Sequence, residues 1–550
     1  MKNILLIIAV FLVQLVARAQ APAWQAAMVV GNGNSNCIVT AVATDATGNV
    51  YLAGTFSITI AIGTTTLVSA GGEDIFVAKW NPASQSYAWA QRAGGAGYDY
   101  VSALAVSGNS VYVTGYYQSS AATFGSTTLP SVGYYDMYVA KLADAGSTAT
   151  FTWAKGAATT EFEEANAIVV EGSNVYVGGY FNGRTVSFDN VTLQNAVPNA
   201  SEWLRDTFLV KLNDAGPAAS FVWAKNLGDT QHDGIGRLAV QGTNIYLTGY
   251  CNGYGSNNVV RNSDFFVAKA VDAGSTGSIA WRTIVTLGAN IVGAAVNGNA
   301  IYISGSFTGS ATFGATTLTS RGNADAYVAK LQDMGSSTAY TWVAQAGGPG
   351  DDSPSRLAKQ GNRLYLAGNF TGQAEVFGSS ALTSVGGFDV FVARVVDGGS
   401  AGVFTWAQQG GSITYDGVYD LAVSGLAVYT IGYVGSAASF GSFQLGSSQY
   451  QLPFLATLND ATVTAATPTT RLPGLALYPN PAHNHATVQV PAGPGPAALT
   501  LLDALGRAVR TAFAPAGQAY ALSLTGLAPG VYILRVQMGE KQAVQRVVVE

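Results

Sequence analysis

The chain has 550 residues, of which 48% are hydrophobic and 10% are charged, a composition that can build a packed core and argues against global disorder. At about 150 residues per domain, the length predicts three or four domains, although a large all-β fold can exceed that size as one unit. A net charge of −5 argues against nucleic acid as the main partner, and two cysteines exclude a disulfide scaffold. The 66 glycines favour many turns and many short strands.

The N-terminus has the features of a secretory signal peptide. Lys2 supplies the positive charge, an apolar run covers residues 4–16, and Ala19 ends a small-x-small cleavage motif. We therefore predict a signal peptide over residues 1–19, cleavage between Ala19 and Gln20, and a mature protein without a transmembrane segment. The alternative is a retained N-terminal anchor, although the apolar run is short for a bilayer span.

Three phrases recur in one fixed order through the middle of the chain. Tryptophan recurs with a mean spacing near 64 residues, at Trp24, Trp89, Trp153, Trp223, Trp281, Trp342 and Trp406. An apolar-Tyr-x-x-Gly phrase keeps step with it, at Tyr51, Tyr112, Tyr176, Tyr246, Tyr302, Tyr365 and Tyr429. An Asp-x-aromatic-apolar-apolar-basic phrase starts at Asp74, Asp136, Asp206, Asp264, Asp325 and Asp389, and Leu452 replaces the Asp in a seventh copy.

Each repeat predicts four strands, and the seven tyrosine phrases predict seven units. The strand at Trp24 has no unit of its own, while the last unit lacks a fourth strand. Placing the Trp24 strand in the last unit closes a ring and removes two sheet edges. We therefore predict an all-β, seven-bladed β-propeller with four-stranded blades over residues 20–459. The alternatives are a ring of six or eight blades and a β-solenoid.

The residues of each phrase also predict local roles. The aspartate that starts the third phrase is expected to satisfy loop amides, and the basic residue five positions later to meet a carboxylate of the adjacent blade. The recurring Trp and Tyr predict core between blades. A Phe-Gly-x-x-x-Leu segment predicts a long connection or an extra short strand. Cys37 and Cys251 fall in the first and fourth units, too far apart for a disulfide, and are predicted to be buried.

Several repeat segments match a known type of unit. They are DATGNVYLAG from Asp45, GGEDIFVAK from Gly71 and GGFDVFVAR from Gly386. These segments resemble the SBBP-type β-propeller repeat family, and the resemblance covers about residues 24 to 458. It implies a propeller outside the cytoplasm and no particular reaction, because propellers carry both enzymes and binding proteins.

After Asn459 the repeat stops. Residues 460–472 are rich in Thr, Ala and Pro and predict a linker. Residues 473–550 contain short alternating runs separated by Gly and Pro, which predict a small β-sandwich. The YPNP segment at Tyr478, D-x-x-G-R at Asp503 and L-x-x-G-x-Y at Leu527 resemble the type A C-terminal sorting domain of the type IX secretion system.

The sorting-domain resemblance has consequences for location. It implies a Bacteroidota-type route across the outer membrane of a Gram-negative bacterium, with the type IX machinery as a partner. The mature protein is then expected outside the cell or on the outer leaflet side of the outer membrane. The alternative is a fibronectin-like accessory domain.

Acidic residues recur five positions before the Leu-Ala-Val-like strand in five of the seven units, in loops predicted to converge on one face beside the channel, and Cys37 and Ala289 stand there in the other two. The acids are Asp99, Glu163, Asp233, Asp352 and Asp416. Tyr98 and Tyr415 lie beside them, and Asp229, His232 and Asp351 depart from the repeat. We predict that these ten residues bind a glycan or a cation. The alternative is that each acid caps its own turn.

The sequence contains no nucleophile elbow, H-E-x-x-H, P-loop or dinucleotide fingerprint. We predict no metal site and no cofactor, with calcium as the one alternative. The leading interpretation is a secreted or surface-displayed binding or adhesion module for a glycan or a surface protein. The alternatives are a carbohydrate-active hydrolase or lyase that uses acids on one face, and a structural surface component.

Overall fold

The computed structural model describes residues 21–31, 36–157, 159–197, 204–229, 232–251, 264–285, 288–446, 451–461, 474–493, 495–503, 508–538 and 541–550. Strands supply the regular secondary structure of these residues, and no membrane-spanning helix is found among them. The predicted signal peptide, its cleavage site at Ala19 and Gln20, and most of the predicted linker lie outside them. Contacts divide the chain into a unit at Gln20–Ala461, called the ring unit below, and a C-terminal unit that includes residues 474–550.

The described strands of the ring unit form seven four-stranded antiparallel sheets. Sheet 1 consists of Cys37–Thr44, Val50–Ile62, Thr65–Asn81 and Ser86–Ala93. Sheet 2 consists of Asp99–Ser107, Ser110–Tyr117, Asp136–Asp144 and Ala149–Ala157. Sheet 3 consists of Glu163–Glu171, Asn174–Phe181, Asp206–Asp214 and Ala219–Lys225. Sheet 4 consists of Gly234–Gln241, Asn244–Cys251, Asp264–Asp272 and Gly277–Val285. Sheet 5 consists of Gly293–Asn297, Ala300–Phe313, Thr316–Asp333 and Thr338–Ala346. Sheet 6 consists of Asp352–Gln360, Arg363–Phe370, Asp389–Asp397 and Gly402–Gly410. Sheet 7 consists of Gly417–Ser424, Ala427–Val434, Leu452–Asn459 and Trp24–Val29.

The sheets follow one another in a closed cycle. The first strand of each sheet contacts the first strand of the next, and Gly417–Ser424 of sheet 7 contacts Cys37–Thr44 of sheet 1. The N-terminal strand Trp24–Val29 pairs with Leu452–Asn459, so that sheet 7 contains both ends of the ring unit. The all-β, propeller-like arrangement expected from the repeat is therefore present, and the first strands surround its centre.

The surplus segment forms a hairpin beyond the second and third strands in six of the repeats, and that of sheet 4 lies outside the described residues. In sheets 1 and 5 these strands extend continuously into the hairpin. Elsewhere the hairpins are separate two-stranded sheets: Ala121–Phe124 with Thr127–Pro130, Thr185–Phe188 with Val191–Gln194, Gln373–Phe377 with Ser380–Thr383, and Ser439–Phe440 with Phe443–Gln444. The extra short strands that the surplus predicted are thus present.

Trp24 is not equivalent to the other six recurring tryptophans. In sheet 2, Trp153 pairs with Lys141 across the two outer strands. In sheet 7, the residue at the position of Trp153 is Ala26, which pairs with Thr457. Trp24 lies two residues earlier, and this part of the spacing-based alignment was wrong by that amount.

A buried ion-pair network joins neighbouring sheets. Nζ of Lys79 in sheet 1 lies 2.6 Å from Oδ2 of Asp144 at the end of the third strand of sheet 2. Tyr51 and Trp89 of sheet 1 donate hydrogen bonds to the same carboxylate at 2.7 and 2.9 Å. Burial alone would raise the pKa of Asp144, but the bonds from Lys79 and Tyr51 outweigh it and hold the pKa below its usual value. The recurring basic residue thus meets a carboxylate of the adjacent sheet, as predicted.

The same arrangement recurs at five further interfaces. The acceptors are Asp214, Asp272, Asp333, Asp397 and Asp460, and the basic residues are Lys141, Lys211, Lys269, Lys330 and Arg394. The sequence analysis did not single out these aspartates. An aspartate nevertheless stands three positions after each of these five basic residues, whereas the third residue after Lys79 of sheet 1 is Pro82.

The interface between sheets 7 and 1, called the closing interface below, has a different chemistry. Pro82 occupies the position of the acceptor aspartate, and Thr457 occupies that of the basic residue. Tyr429 is retained, and its ring lies 6.5 Å from that of Trp80. Apolar side chains of both sheets, including Ile431, pack here in one buried cluster. This interface therefore depends on apolar burial where six others contain a charged network.

The C-terminal unit contains two described sheets around one core. The three-stranded sheet consists of Ala476–Tyr478, His485–Gln489 and Ala519–Ser523. The four-stranded sheet consists of Ala508–Ala514, Ala497–Leu502, Gly530–Met538 and Lys541–Val549. Buried residues from both sheets, such as Val488 and Leu534, belong to a single cluster.

Candidate functional site

The five recurring loop acids are buried. Each has 0% exposed surface and accepts the backbone N–H four residues before it. The donors are Gly95, Thr159, Asp229, Gly348 and Ser412, for Asp99, Glu163, Asp233, Asp352 and Asp416 respectively. Turn capping therefore accounts for their position in the repeat, and ligand binding by these acids stays a prediction.

The residues directly before these acids are more open to solvent. Tyr98 is 50% exposed and Tyr415 is 65% exposed. Asp351 and His232 are half-buried, and Nδ1 of His232 accepts the backbone N–H of Arg205 at 3.3 Å. All four occupy the same position of the repeat, in loops at one end of the sheets. Of the predicted site residues, these four and Asp229, whose side chain is 44% exposed, are open to solvent.

Asp229 and Asp233 form a third part of the predicted site. Together with the thiol of Cys251 they place one donor atom each within 4.8 Å of one another. Nη2 of Arg282 lies 3.6 Å from both carboxylates, and its guanidinium lies 4.4 Å from the ring centre of Phe266. Arg282 thus places a positive charge beside both carboxylates.

Both cysteines are buried free thiols, as predicted. Burial raises the pKa of the Cys37 thiol to about 12 and also raises that of Cys251. Neither thiol is therefore ionised at neutral pH, which removes nucleophilic thiol chemistry from the candidate functions of this face.

Glu375 brings an additional carboxyl group beside Asp352. The equivalent hairpin positions hold buried apolar residues, namely Ile60, Ala122, Val186, Ala311 and Ala438. Glu375 is also fully buried, and its Oε1 accepts the backbone N–H of Gly350 at 3.0 Å. Oε2 of Glu375 and Oδ1 of Asp352 are buried without a hydrogen-bond partner. Burial, followed by the charge of Glu375, raises the pKa of Asp352 to about 8.

We expect the ring unit to be more stable at pH 5 than at pH 8. Burial is the main cause of the raised pKa of four carboxyls: Glu163 and Asp352 at about 8, and Asp233 and Asp389 at about 7. These groups keep protons in the fold that the unfolded chain releases above about pH 4. Their contribution is complete below that pH and is lost as the pH rises through 7 and 8.

Thermal unfolding between pH 5 and pH 8 measures this dependence. The variant Glu163→Gln removes one titrating carboxyl and should flatten the decline with pH. The network carboxylates such as Asp144, whose pKa is lowered, act in the opposite sense and weaken the fold only in stronger acid. An unfolding midpoint that rises from pH 5 to pH 8 would contradict the prediction.

Tyrosine and charged side chains meet at one end of sheets 2 and 3. The ring of Tyr116 lies 4.9 Å from that of Tyr100 and 5.0 Å from that of Tyr135. All three side chains are half-buried. Burial and then the carboxylate of Glu73 raise the pKa of Tyr100 to about 12. The hydroxyl group of Tyr100 is therefore a neutral donor and acceptor at physiological pH.

Glu164, Tyr180 and Arg205 continue this group on sheet 3. The Tyr180 hydroxyl donates to Oε2 of Glu164 at 2.7 Å, and the Arg205 guanidinium lies 4.2 Å from the centre of the Tyr180 ring. Burial raises the pKa of Glu164, which the bond from Tyr180 and the charge of Arg205 oppose. We refer to these six residues, Tyr100, Tyr116, Tyr135, Glu164, Tyr180 and Arg205, as the tyrosine cluster.

The tyrosine cluster departs from the repeat. Tyr100 pairs across its strands with Tyr116, and Glu164 pairs with Tyr180. The equivalent pairs are Ile38 with Thr55, Gly234 with Tyr250, Ser353 with Asn369, and Gly417 with Tyr433. A position required only for folding would hold similar residues in every sheet. The variation therefore favours recognition of a ligand by one part of the ring.

None of the six residues of the tyrosine cluster is among the ten predicted site residues. Tyr116 and Tyr180 each stand four positions after the recurring tyrosine of their unit, within strands predicted to form core. Arg205 directly precedes the buried Asp206. Aligning the residues on either side of the buried acids across all units would have shown this variation.

Comparison with solved structures gives distant similarities. The chain is similar to Pyrococcus horikoshii acylaminoacyl peptidase, with 6% identity and a TM-score of 0.39, over 83% of this chain and 58% of that one. It is also similar to Trypanosoma rangeli sialidase in complex with the inhibitor DANA, with 10% identity and a TM-score of 0.33, over 80% of this chain and 83% of that one. The chain thus spans 58% of the length of the peptidase. No curated protein matches the sequence.

A family model matches the C-terminal unit. The secretion system C-terminal sorting domain covers residues 476–550, which confirms the predicted sorting domain. The match indicates interaction with the type IX export machinery. The chain therefore carries the sorting domain of a protein that the type IX system exports to the cell surface or the extracellular space.

Proposed function

We propose that the protein is a binding or adhesion module whose ring unit is a seven-bladed β-propeller of the SBBP type, exported by a Bacteroidota. The seven sheets and their cyclic contacts support the blade number. The two sheets around one core support a β-sandwich for the C-terminal unit. The ligand binds at the tyrosine cluster, and an extracellular glycan matches the side chains of this cluster best.

The observation that carries this proposal is the chemistry of the tyrosine cluster. Half-buried aromatic rings present apolar surface to a sugar ring, and their hydroxyls offer hydrogen bonds in fixed directions. The stacked Arg205 and the bonded Glu164 hold Tyr180 in one orientation. The hydrolase alternative needs two carboxylates that face a cleft, whereas the paired carboxyls Asp352 and Glu375 are fully buried. We therefore favour binding over hydrolysis.

Binding of the purified full chain to a panel of oligosaccharides tests the proposal. Tyr116→Ala should weaken binding of a hit by about tenfold or more, as expected for an aromatic anchor. Tyr433→Ala is the matched control, because Tyr433 occupies the equivalent strand position in sheet 7. Equal losses in the two variants, or no glycan bound by the unaltered protein, would reject the tyrosine cluster as a glycan site.

A further inference from the structure

A second candidate site lies at the centre of the ring unit. A solvent-open cavity of about 330 Å³ is lined by residues of sheets 4 to 7 that lie in or beside the first strand of each sheet. Its lining includes Arg237, Arg356, Ser355 and Tyr419, and apolar surface such as Pro354. None of its lining residues is acidic. We call it the axial cavity.

The charge of Arg356 is compensated within the ring. Its Nε lies 3.0 Å from Oδ1 of Asp420 in the adjacent sheet 7. The other oxygen of Asp420 accepts the backbone N–H of Val42 in sheet 1 at 2.9 Å. Burial raises the pKa of Asp420, and the charge of Arg356 opposes this. Arg356 and Asp420 are therefore a closed ion pair that leaves little charge for a ligand.

Arg237 has the same place in sheet 4 but a different neighbour. Both Arg237 and Arg356 directly follow the bulge in the first strand of their sheet. Arg356 of sheet 6 pairs with Asp420 of the following sheet. The equivalent residue in sheet 5, which follows the sheet of Arg237, is Gly293. Arg237 Nη1 donates to the carbonyl of Gly236 at 2.7 Å, whereas its Nε is buried without a hydrogen-bond partner. Among the described residues, no carboxylate forms an ion pair with Arg237.

We propose that Arg237 binds the oxyanion group of a small ligand in the axial cavity. A guanidinium presents parallel N–H donors that match a carboxylate, phosphate or sulfate group. Arg237 is half-buried and its Nε has no acceptor, and an oxyanion would provide the acceptor that this N–H lacks. Ser355 and Tyr419 also line the cavity, and Pro354 offers apolar surface to the body of the ligand. A cavity of this volume accommodates a small molecule.

This inference is independent of the proposed glycan site. The axial cavity and the tyrosine cluster share no residue. Loss of glycan binding at the cluster would leave the oxyanion site intact, and the reverse also holds. The two proposals can therefore fail separately.

Thermal unfolding of the full chain tests the oxyanion site. The probes are inorganic phosphate, sulfate and glucuronate, with glucose as the neutral match of glucuronate and sodium chloride to hold ionic strength constant. A ligand that binds the folded state raises the unfolding midpoint in a saturable manner. We expect such a rise with at least one oxyanion and none with glucose. A response to glucuronate alone identifies a sugar carboxylate, and a response to phosphate or sulfate identifies a free anion.

Variants assign the response to Arg237. Arg237→Gln should abolish the rise, while Arg237→Lys should retain a weaker one because it keeps the charge and loses the planar fork. Arg184→Gln is the control for charge, because Arg184 is exposed and outside the cavity. No saturable response to any oxyanion would overturn the proposal, as would an undiminished response in Arg237→Gln.

Discussion

Asp272→Asn should lower the free energy of unfolding of the ring unit by about 3–5 kcal/mol, the range found when a buried ion pair loses one partner. Nζ of Lys211 lies 2.6 Å from Asp272, and the two side chains are 6% and 5% exposed. The substitution keeps the size of the side chain but leaves the Lys211 ammonium buried without a counter-charge. Tyr176 and Trp223 also donate to this carboxylate, at 2.7 and 3.0 Å. Urea denaturation followed by tryptophan fluorescence measures the loss.

Asp189→Asn provides the matched control for the network. Asp189 pairs with Lys155 at 3.0 Å, but these side chains are 36% and 31% exposed. Exposed pairs contribute about 0–1 kcal/mol because water and salt screen them. Asparagine also tolerates the positive φ of 49° at this position. Equal destabilisation by the two substitutions would show that the interface carboxylates have no special role.

Deleting Trp24–Val29 should destabilise the ring unit more than any single substitution considered above. The deletion removes the outer strand of sheet 7 and exposes the edge of Leu452–Asn459. It also removes Trp24, which is buried and packs edge-on against Phe440 at 4.9 Å. Loss of the Trp24 side chain alone should cost about 3–5 kcal/mol. Limited proteolysis should then cut within sheet 7 before the other sheets.

Gln25→Ala is the control for the N-terminal strand. Gln25 is exposed, and its side chain bonds only the carbonyl of Ala23 in the same strand region. We expect an unfolding midpoint within experimental error of the unaltered protein. If deletion of Trp24–Val29 also left the midpoint and the proteolytic pattern unchanged, the strand would not close sheet 7 in solution.

The repeat predicted the strand order because each unit spells out the same four hydrophobic runs. It did not predict the register of Trp24, because regular spacing cannot distinguish Trp24 from Ala26 at the end of a strand. The loop acids had two open interpretations for a related reason. The sequence around Asp99 is the same whether the carboxylate accepts the amide of its own turn or a hydroxyl of a ligand, whereas the structure shows that the carboxylate is buried and accepts the turn amide.

The tyrosine cluster was harder to predict than the fold. Tyr116 and Glu164 lie in strands of two different sheets, and Arg205 directly precedes the strand Asp206–Asp214. A single sequence shows which residues break the repeat, but it does not show which of them meet. Arg237 illustrates the same limit, because its unpaired state depends on Gly293 in the neighbouring sheet.

The closing interface also constrains the order in which the protein can be assembled. Val42 bonds to Asp420, which lies 378 residues further along the chain, whereas the other interfaces join units that are adjacent in sequence. Loop closure over such a distance follows the nearer contacts. Before sheet 7 has formed, the side of sheet 1 that belongs to the closing interface is exposed to water. This side is apolar and has no charged network. A chain truncated before Asn459 should therefore self-associate through that surface. A chaperone that covers sheet 1 would protect the nascent protein most effectively.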